Sequence, residues 1–497
     1  YRTDIGAQQR RLTGVEPEWV QATPVPTRHG TYKGGYIPVK YDGTRSTRSL
    51  SDEAAAGIMD LWRAARGSAK TRDSFTKARA DKVVDRPLKK DFGVITQYVT
   101  EVTHRLAWQE FLVDAQRLLR AAPIDSAIRE HYGHHVLEAM RDTITDIAAG
   151  DLPAQNMMET IANHLRTGTS IAMMGWRLTT AMIQFSGFTQ SAVRIGPKWI
   201  ARGLAEFVGD AVRMENTAKR VSEKSDFMRL RGKTLQREVN EILNLVENRN
   251  SAIRASYFWM IQKMQMAVDI PTWLGQYHKA IEAGVDEATA VAQADQAVKD
   301  SQGGGQIMDL AAVQRGSPYL KLFTNFYSYF NVTFNLTREV VGRTDVKNPI
   351  SVAKAAADMM LLYTIPALVG TLMYAALEGE DDWEELAKEI VADQVSFLFG
   401  TLVGLREIGG VARAALGLPG DYRGPAGVRF LAEVVNLGKQ IGQGEVDEAA
   451  LKAASNTAGI LFHLPAGQVN ATIDGIHAIA TGETEWPGAL AVGHRDR

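Results

Sequence analysis

Ser301 to Asn335 reads SQGGGQIMDLAAVQRGSPYLKLFTNFYSYFNVTFN, with a glycine triplet and a Gly-Ser-Pro turn bracketing the densest aromatic run in the chain. From Leu320 onward, Leu322, Phe323, Phe326, Tyr327, Tyr329, Phe330 and Phe334 recur at three- and four-residue spacing. That is the period of a helix with one wide apolar face. The stretch therefore predicts a helix over 320–335 whose aromatic residues form a packing interface, against other helices or a neighbouring copy.

Working outward, the same period continues in both directions. Residue usage dominated by Ala, Leu, Met, Glu and Gln predicts helices over 94–121, 126–149, 153–167, 170–193, 199–224, 234–248, 252–277 and 286–299. Ser51 as an N-cap, with Asp52 and Glu53 behind it, predicts a further helix to about residue 66. Breaks are expected where helix chemistry puts them: at Pro123, at Gly150 with Pro153, at Gly168, and at Gly196 with Pro197. No alternating run of β-branched residues stands between turn signals, so no strand is expected. The fold class read from this pattern is all-α, an elongated multi-helix bundle.

Four regions follow from composition. Residues 1–50 carry Pro17, Pro24, Pro26 and Pro38 without a sustained apolar period, and read as an extended arm that crosses onto another subunit. Residues 51–347 form the helical body. Residues 348–408 read as an apolar helical hairpin, and residues 409–497 as a glycine-rich helical region and tail, with short helices over 428–441 and 447–461.

The hairpin rests on Met359 to Leu377, MMLLYTIPALVGTLMYAAL, nineteen residues without a charge. At ~1.5 Å per residue that run approaches the ~30 Å hydrocarbon layer of a bilayer. The acidic turn EGEDDWEE (Glu378 to Glu385) follows, and then a second apolar run, 395–405, too short to span alone. Two readings stand: a hairpin inside a soluble bundle, or a membrane segment using Met359, Leu361, Leu362, Ile365, Leu368, Val369, Leu372, Phe397, Leu398 and Phe399.

Net charge is −1 over 497 residues, which gives no global pull toward nucleic acid or an anionic surface. Local patches exist instead. Residues 61–90 hold ten Lys or Arg against three Asp. Arg72, Lys77, Arg79, Lys82, Arg86, Lys89 and Lys90 are thus a candidate DNA-contact patch, weighed against a solvated loop. With no cysteine, disulfides, thiolate metal sites and cysteine nucleophiles are excluded. The chain starts at Tyr1 and its first methionine is Met59, so a longer parent polypeptide or a processed product is expected.

Catalytic patterns are missing from the sequence: no Walker A loop, no G-x-S-x-G, no HExxH and no Glu-Ser of a transglycosylase. The triplet Gly303 to Gly305 lacks the Lys-Ser/Thr of a phosphate cradle and reads as a turn. His131, His134 and His135 with Glu130 and Glu138 make two helical pairs rather than one three-ligand site. Neither metal nor cofactor is expected, and the segment reads as non-enzymatic.

Several short blocks resemble the large internal virion and polyvalent proteins of tailed bacteriophages. They are Gln302 to Gln306, Asp309 to Ala311, Gln314 to Gly316, Lys321 to Phe323 and Phe326 to Asn331, with further matches at Ser74 to Gly93, Val99 to Leu119 and Val268 to Tyr277. The resemblance implies a structural ejection protein, held in the capsid interior and later in the host envelope. It further implies a homo-oligomeric ring or tube near the portal, formed with other internal virion proteins, and a conduit across the inner membrane. The alternatives are a non-catalytic segment of a giant virion enzyme such as an RNA polymerase, and a packaged DNA-binding protein.

Overall fold

The computed structural model describes residues 2–15, 24–33, 93–149, 157–209, 214–234, 256–305, 327–378 and 448–493, with a few single positions between them. The class is all-α, as the periodicity predicts, with one two-stranded sheet besides the helices. Two compact units are formed, Tyr1–Asn163 with Arg315–Leu320, and His164–Gln314 with Lys321–Arg497. Of the boundaries read from composition, the one at 347 falls in the turn before the helix that starts at Pro349. Those near 50 and 408 lie outside the described residues.

In the first unit the expected extended arm begins instead with a helix, α1 (Arg2–Thr13). Its reason is packing: Ile5 is fully buried beside Val102, with Trp19, Tyr98 and Leu106 around them. Gln8 Nε2 donates to the Leu106 carbonyl at 3.1 Å, and Arg11 pairs with Glu110. The strands β1 (Val25–Thr27) and β2 (Gly30–Tyr32) then form an exposed antiparallel hairpin that the sequence reading did not expect. Pro26 is tolerated because a two-stranded ribbon consists only of edges.

Three helices complete the described part of this unit: α2 (Gly93–Arg120), α3 (Ala122–Tyr132) and α4 (His134–Ala149). The single helix expected over 126–149 is broken at Gly133, whose φ of 89° lies outside the helical region. Arg141 of α4 reaches Asp125 of α3 at 2.7 Å, and Arg129 adds a second bond to the same carboxylate, so the break closes into a tied pair. The Asp125 carboxyl is held below its ordinary range by the Arg129 hydrogen bond.

The second unit is built around α11 (Trp259–Glu282). The helices that lead to it are α5 (Met157–Met174), α6 (Leu178–Met182), a 3₁₀ turn (Ile183–Ser186), α7 (Gly187–Ile195), α8 (Pro197–Gly209), α9 (Met214–Lys224) and α10 (Asp226–Thr234). After it come α12 (Glu287–Gln302), α13 (Ser328–Arg343), α14 (Pro349–Met359), a π turn (Met360–Thr364) and α15 (Ile365–Glu378). The unit ends with α16 (Glu448–Phe462), α17 (Ala466–Thr481) and α18 (Ala489–Val492).

One expected break is missing and one helix is new. α5 runs straight through Gly168, because that glycine serves close packing rather than termination: a Cβ there would lie 1.8 Å from the Ile460 carbonyl oxygen. α17 occupies residues that carried no helix assignment. Its outward face is as apolar as its inward one, so its amphipathic signal is weak.

The core centres on α11, whose Trp273, Val268 and Ile270 are buried and whose Pro271 is absorbed within the helix. α8 crosses it with almost no side chain between the backbones. A Cβ on Gly203 would stand 2.0 Å from the Pro271 carbonyl oxygen, and one on Gly275 would stand 2.5 Å from that of Trp199. Gly203→Ala should therefore destabilise the protein by about 2–3 kcal/mol through overpacking. Gly209→Ala, with no atom within 4 Å of the added methyl, should be neutral or slightly stabilising. Thermal denaturation of the two variants checks the contrast, and equal effects would show that the crossing tolerates a methyl.

Candidate functional site

The polar groups of the second unit converge on the C-terminal end of α12, at the start of the stretch that opens the sequence analysis. α12 begins with Asp286 as N-cap, its side chain accepting from the Thr289 amide at 3.0 Å, a bond that lowers the carboxyl below its ordinary range. Ala290, Ala294 and Ala297 then give the helix a small buried face. That slim face lets neighbouring helices come near enough for short polar side chains to meet.

Arg231 of α10 and Asp269 of α11 form an ion pair at 2.8 Å, both side chains fully buried. Arg231 Nη1 also donates to the Gly303 carbonyl at 2.6 Å, just beyond α12. Gln265 Nε2 donates to the other Asp269 oxygen and to Gln302 Oε1, both at 3.0 Å. Gln302 Nε2 in turn donates to the Gly187 carbonyl at 2.8 Å and to Ser191 Oγ at 2.9 Å on α7. Ser191 meets Thr272 at 2.7 Å, and the neighbouring Gln190 donates to Thr333 of α13 at 2.8 Å. Five helices, α7 and α10 to α13, are thus tied by side-chain hydrogen bonds within the core.

The rest of α12 anchors others. Asp295 accepts from Trp273 Nε1 at 2.7 Å and from Ser225 Oγ at 2.6 Å, while Ser225 itself caps α10 through the Met228 amide. Asp300 pairs with Arg194 at 2.8 Å. Lys279 Nζ donates to the Ile195 carbonyl at 2.9 Å, where α7 ends. Burial lowers the Lys279 ammonium, and the positive charges of Arg194, Lys354 and Arg343 lower it further.

Chemically, this network is an organiser rather than a reaction centre. Ser191 is ringed by Thr272, Ser301 and Gln302, none of them a general base. The ionised pair lies out of reach of solvent. No group of three metal-ligating side chains exists among the described residues. His134 pairs with Glu138 at 2.9 Å and meets Arg129 through Nδ1, as an exposed surface cluster.

Only residues 327–335 of the aromatic helix expected over 320–335 lie among the described residues. The helix starts at Ser328, and its buried residues are Val332, Thr333, Leu336 and Val340. Tyr327 is buried, whereas Phe330 and Phe334 are only half covered. Phe323 and Phe326 lie outside the described residues, as do Arg72, Lys77, Arg79, Lys82, Arg86, Lys89, Lys90, Phe397, Leu398 and Phe399. Aromatic rings dominate a sequence pattern by size, but here the β-branched and leucine positions face α7 and the Tyr363 end of the apolar helix.

Of the candidate membrane residues, Leu362 is fully buried and Met359, Leu361, Ile365, Leu368 and Val369 are half-buried. Leu372 is exposed, and so is Met360. Pro349–Gly370 is long and apolar enough to cross a bilayer, with 22% of its most apolar window buried.

No protein-family model matches the chain, and no curated protein or solved structure matches it either.

Sequence reading missed the Arg231–Asp269 pair. Asp269 carried a usable signal, as one acid inside the apolar run MAVDIPTW. Arg231 did not, since it is one of several basic residues in KSDFMRLRGK.

Removing one partner should cost about 3–5 kcal/mol, because the other charge is left buried and uncompensated. Arg231→Met and Asp269→Leu together should cost clearly less than the sum of the two, measured by chemical denaturation. Additive losses would mean the charges do not act as a pair. A second check uses Tyr329, whose hydroxyl is pushed by burial to about 12, against an ordinary 10.0, and is partly held back by a hydrogen bond with Ser186. Since the folded value is the higher, its contribution is complete below pH ~10 and is lost as pH climbs toward the folded value. The stability advantage of wild type over Tyr329→Phe should shrink between those limits.

Proposed function

We propose that the chain is a structural protein of a phage virion, an internal or ejection component. It would oligomerise near the portal and help carry the genome across the host envelope. The observation that carries this reading is the helix Pro349–Gly370, a bilayer-length apolar element left largely uncovered by its own chain. An isolated folded chain gains nothing from such exposure, which instead marks a surface that meets another molecule or lipid.

Two features support it. The polar groups that could have built an active site are used instead to bind helices to one another, as expected of a scaffold. The blocks from Gln302 to Asn331 and Val268 to Tyr277, which resemble internal virion proteins, coincide in part with that network: Gln302, Gly303, Asp269 and Thr272 belong to both. Four of the resembling residues thus take part in the network of the second unit.

Electron microscopy of particles carrying the protein should place it in a ring or tube inside the capsid. Met360→Asp with Leu372→Asp, at two exposed positions, should leave folding and packaging intact while DNA delivery falls at least about tenfold, since charge on an apolar spanning face is costly. Normal delivery by correctly packaged variant particles would reduce this helix to ordinary surface.

A further inference from the structure

The hairpin of α16 and α17 carries an apolar surface that the sequence reading did not anticipate. Leu461, Phe462 and Leu464 stand at its turn, with Phe462 67% exposed. Val469, Ile473 and Ile476 continue from the turn along the outer face of α17 at four- and three-residue spacing, the latter two 58% and 54% exposed. Helical spacing makes this one stripe, not scattered single residues.

The inner side of the hairpin is fully engaged. A Cβ on Gly467 would lie 2.6 Å from the Ala172 carbonyl oxygen, and one on Gly459 would lie 2.5 Å from Ala466 Cβ. Ile460, Ala466 and Ala172 are buried together. At the turn, His164 Nε2 donates to the Leu461 carbonyl at 3.0 Å, and the His463 ring sits 4.3 Å from that of His164. The hairpin is therefore clamped to α5 by backbone-close contacts and cannot roll its apolar stripe inward.

Charge decides what the stripe meets. From Ala453 to Gly482 the only charged side chain is Asp474. It is neutralised by Lys452 at 3.1 Å. The next charges, Glu483 and Glu485, lie beyond the far end of α17, at the opposite pole from the turn. A protein partner docks on an apolar centre with a charged or polar rim. Among the hairpin's own residues no charged side chain stands at the turn, and charge appears only toward the distal end. That gradient is the one an element needs when it enters lipid turn first.

Length sets the depth. α17 has 16 residues and α16 has 15, which at ~1.5 Å per residue gives about 22–24 Å. This falls short of a ~30 Å hydrocarbon layer, so the hairpin would enter one leaflet without spanning.

We propose that the α16–α17 hairpin is a lipid-docking element that inserts its Leu461–Leu464 turn and the Val469–Ile476 stripe into one leaflet of a bilayer. The inference does not depend on packaging in a virion, nor on the apolar helix from Pro349 acting as a span.

The chain has no native cysteine, so Phe462→Cys and Glu483→Cys each accept a single environment-sensitive fluorophore. On adding phosphatidylcholine vesicles, or vesicles that also contain phosphatidylglycerol, the full chain should co-float. The label at 462 should shift to the blue and be quenched by brominated acyl chains, while the label at 483 stays in water. Phe462→Asp, Ile473→Asp and Ile476→Asp together should lower vesicle partitioning at least about tenfold with helicity unchanged. The response at 462 should persist when Met360→Asp and Leu372→Asp are present, which separates this element from the helix at Pro349. Failure of the wild type to float, or an unshifted label at 462, overturns the proposal. Dispersal of a vesicle-free oligomer by the triple variant also overturns it, and assigns the face to a second copy of the chain.

Discussion

Asp269 sits fully buried in the middle of an otherwise apolar helix, and the second unit is arranged so that this charge can exist there. Taking a carboxylate and a guanidinium out of water costs several kcal/mol per ion, which their mutual attraction offsets only with good geometry and further hydrogen bonds. Gln265, one turn before Asp269 on α11, donates to that carboxylate and to Gln302 at the end of α12, and the Gly303 carbonyl just beyond α12 accepts from Arg231. A shift of α12 by one residue would take the Gly303 carbonyl from Arg231 and Gln302 from Gln265. The pair therefore contributes more to register than to net stability, because hydrophobic packing alone would accept several sliding positions of the alanine-lined α12.

Such a network demands close helices, and the small residues provide them. Gly203 and Gly275 bring α8 and α11 into near backbone contact, and Ala290, Ala294 and Ala297 do the same for α12. Gly187 has a specific duty, since a Cβ there would lie 2.4 Å from Gln302 Oε1, in the space where the glutamine amide reaches the Gly187 carbonyl. Close approach and buried polarity are thus one design: short side chains such as Ser191, Thr272 and Thr333 can bridge helices only where the backbones nearly touch.

Much of the fold was legible because helix periodicity is a local signal. The all-α class, α2, α11, α12 and the break after Gly196 follow from spacing and helix-breaking residues within one segment. What escaped depends on residues far apart in the chain. Gly168 looks like a helix terminator until Ile460 is placed against it. The arm looks extended until Val102 and Leu106 give α1 a surface to bury Ile5 on. For the aromatic run, spacing names a face but not its partner, and the residues that α13 buries are Val332, Thr333, Leu336 and Val340. For the network, Gln302 and the glycine triplet were noticeable, yet only the fold discloses that Gly303 accepts from Arg231 and that Gln302 meets Gln265, the partner of Asp269.

The second unit distributes polarity in an unusual way. Its interior holds an ion pair, three glutamines and a run of hydroxyls, whereas Pro349–Gly370 and the α16–α17 hairpin turn several large aliphatic side chains outward. In water alone this arrangement is costly on both counts, through desolvated polar groups inside and hydrated apolar groups outside. The two costs have a common resolution. Internal hydrogen bonds fix helix positions without relying on exclusion of water from the outer surface, so under the proposed membrane role the helices would keep their register when that surface left water for lipid. A core held only by the hydrophobic effect would lose its advantage over the outside once the outside became apolar, as membrane helices do, and would need polar ties and small-residue contacts in its place. Those are the two devices that hold α7, α8 and α10 to α13 together, and the two outward apolar elements belong to the same unit as those devices.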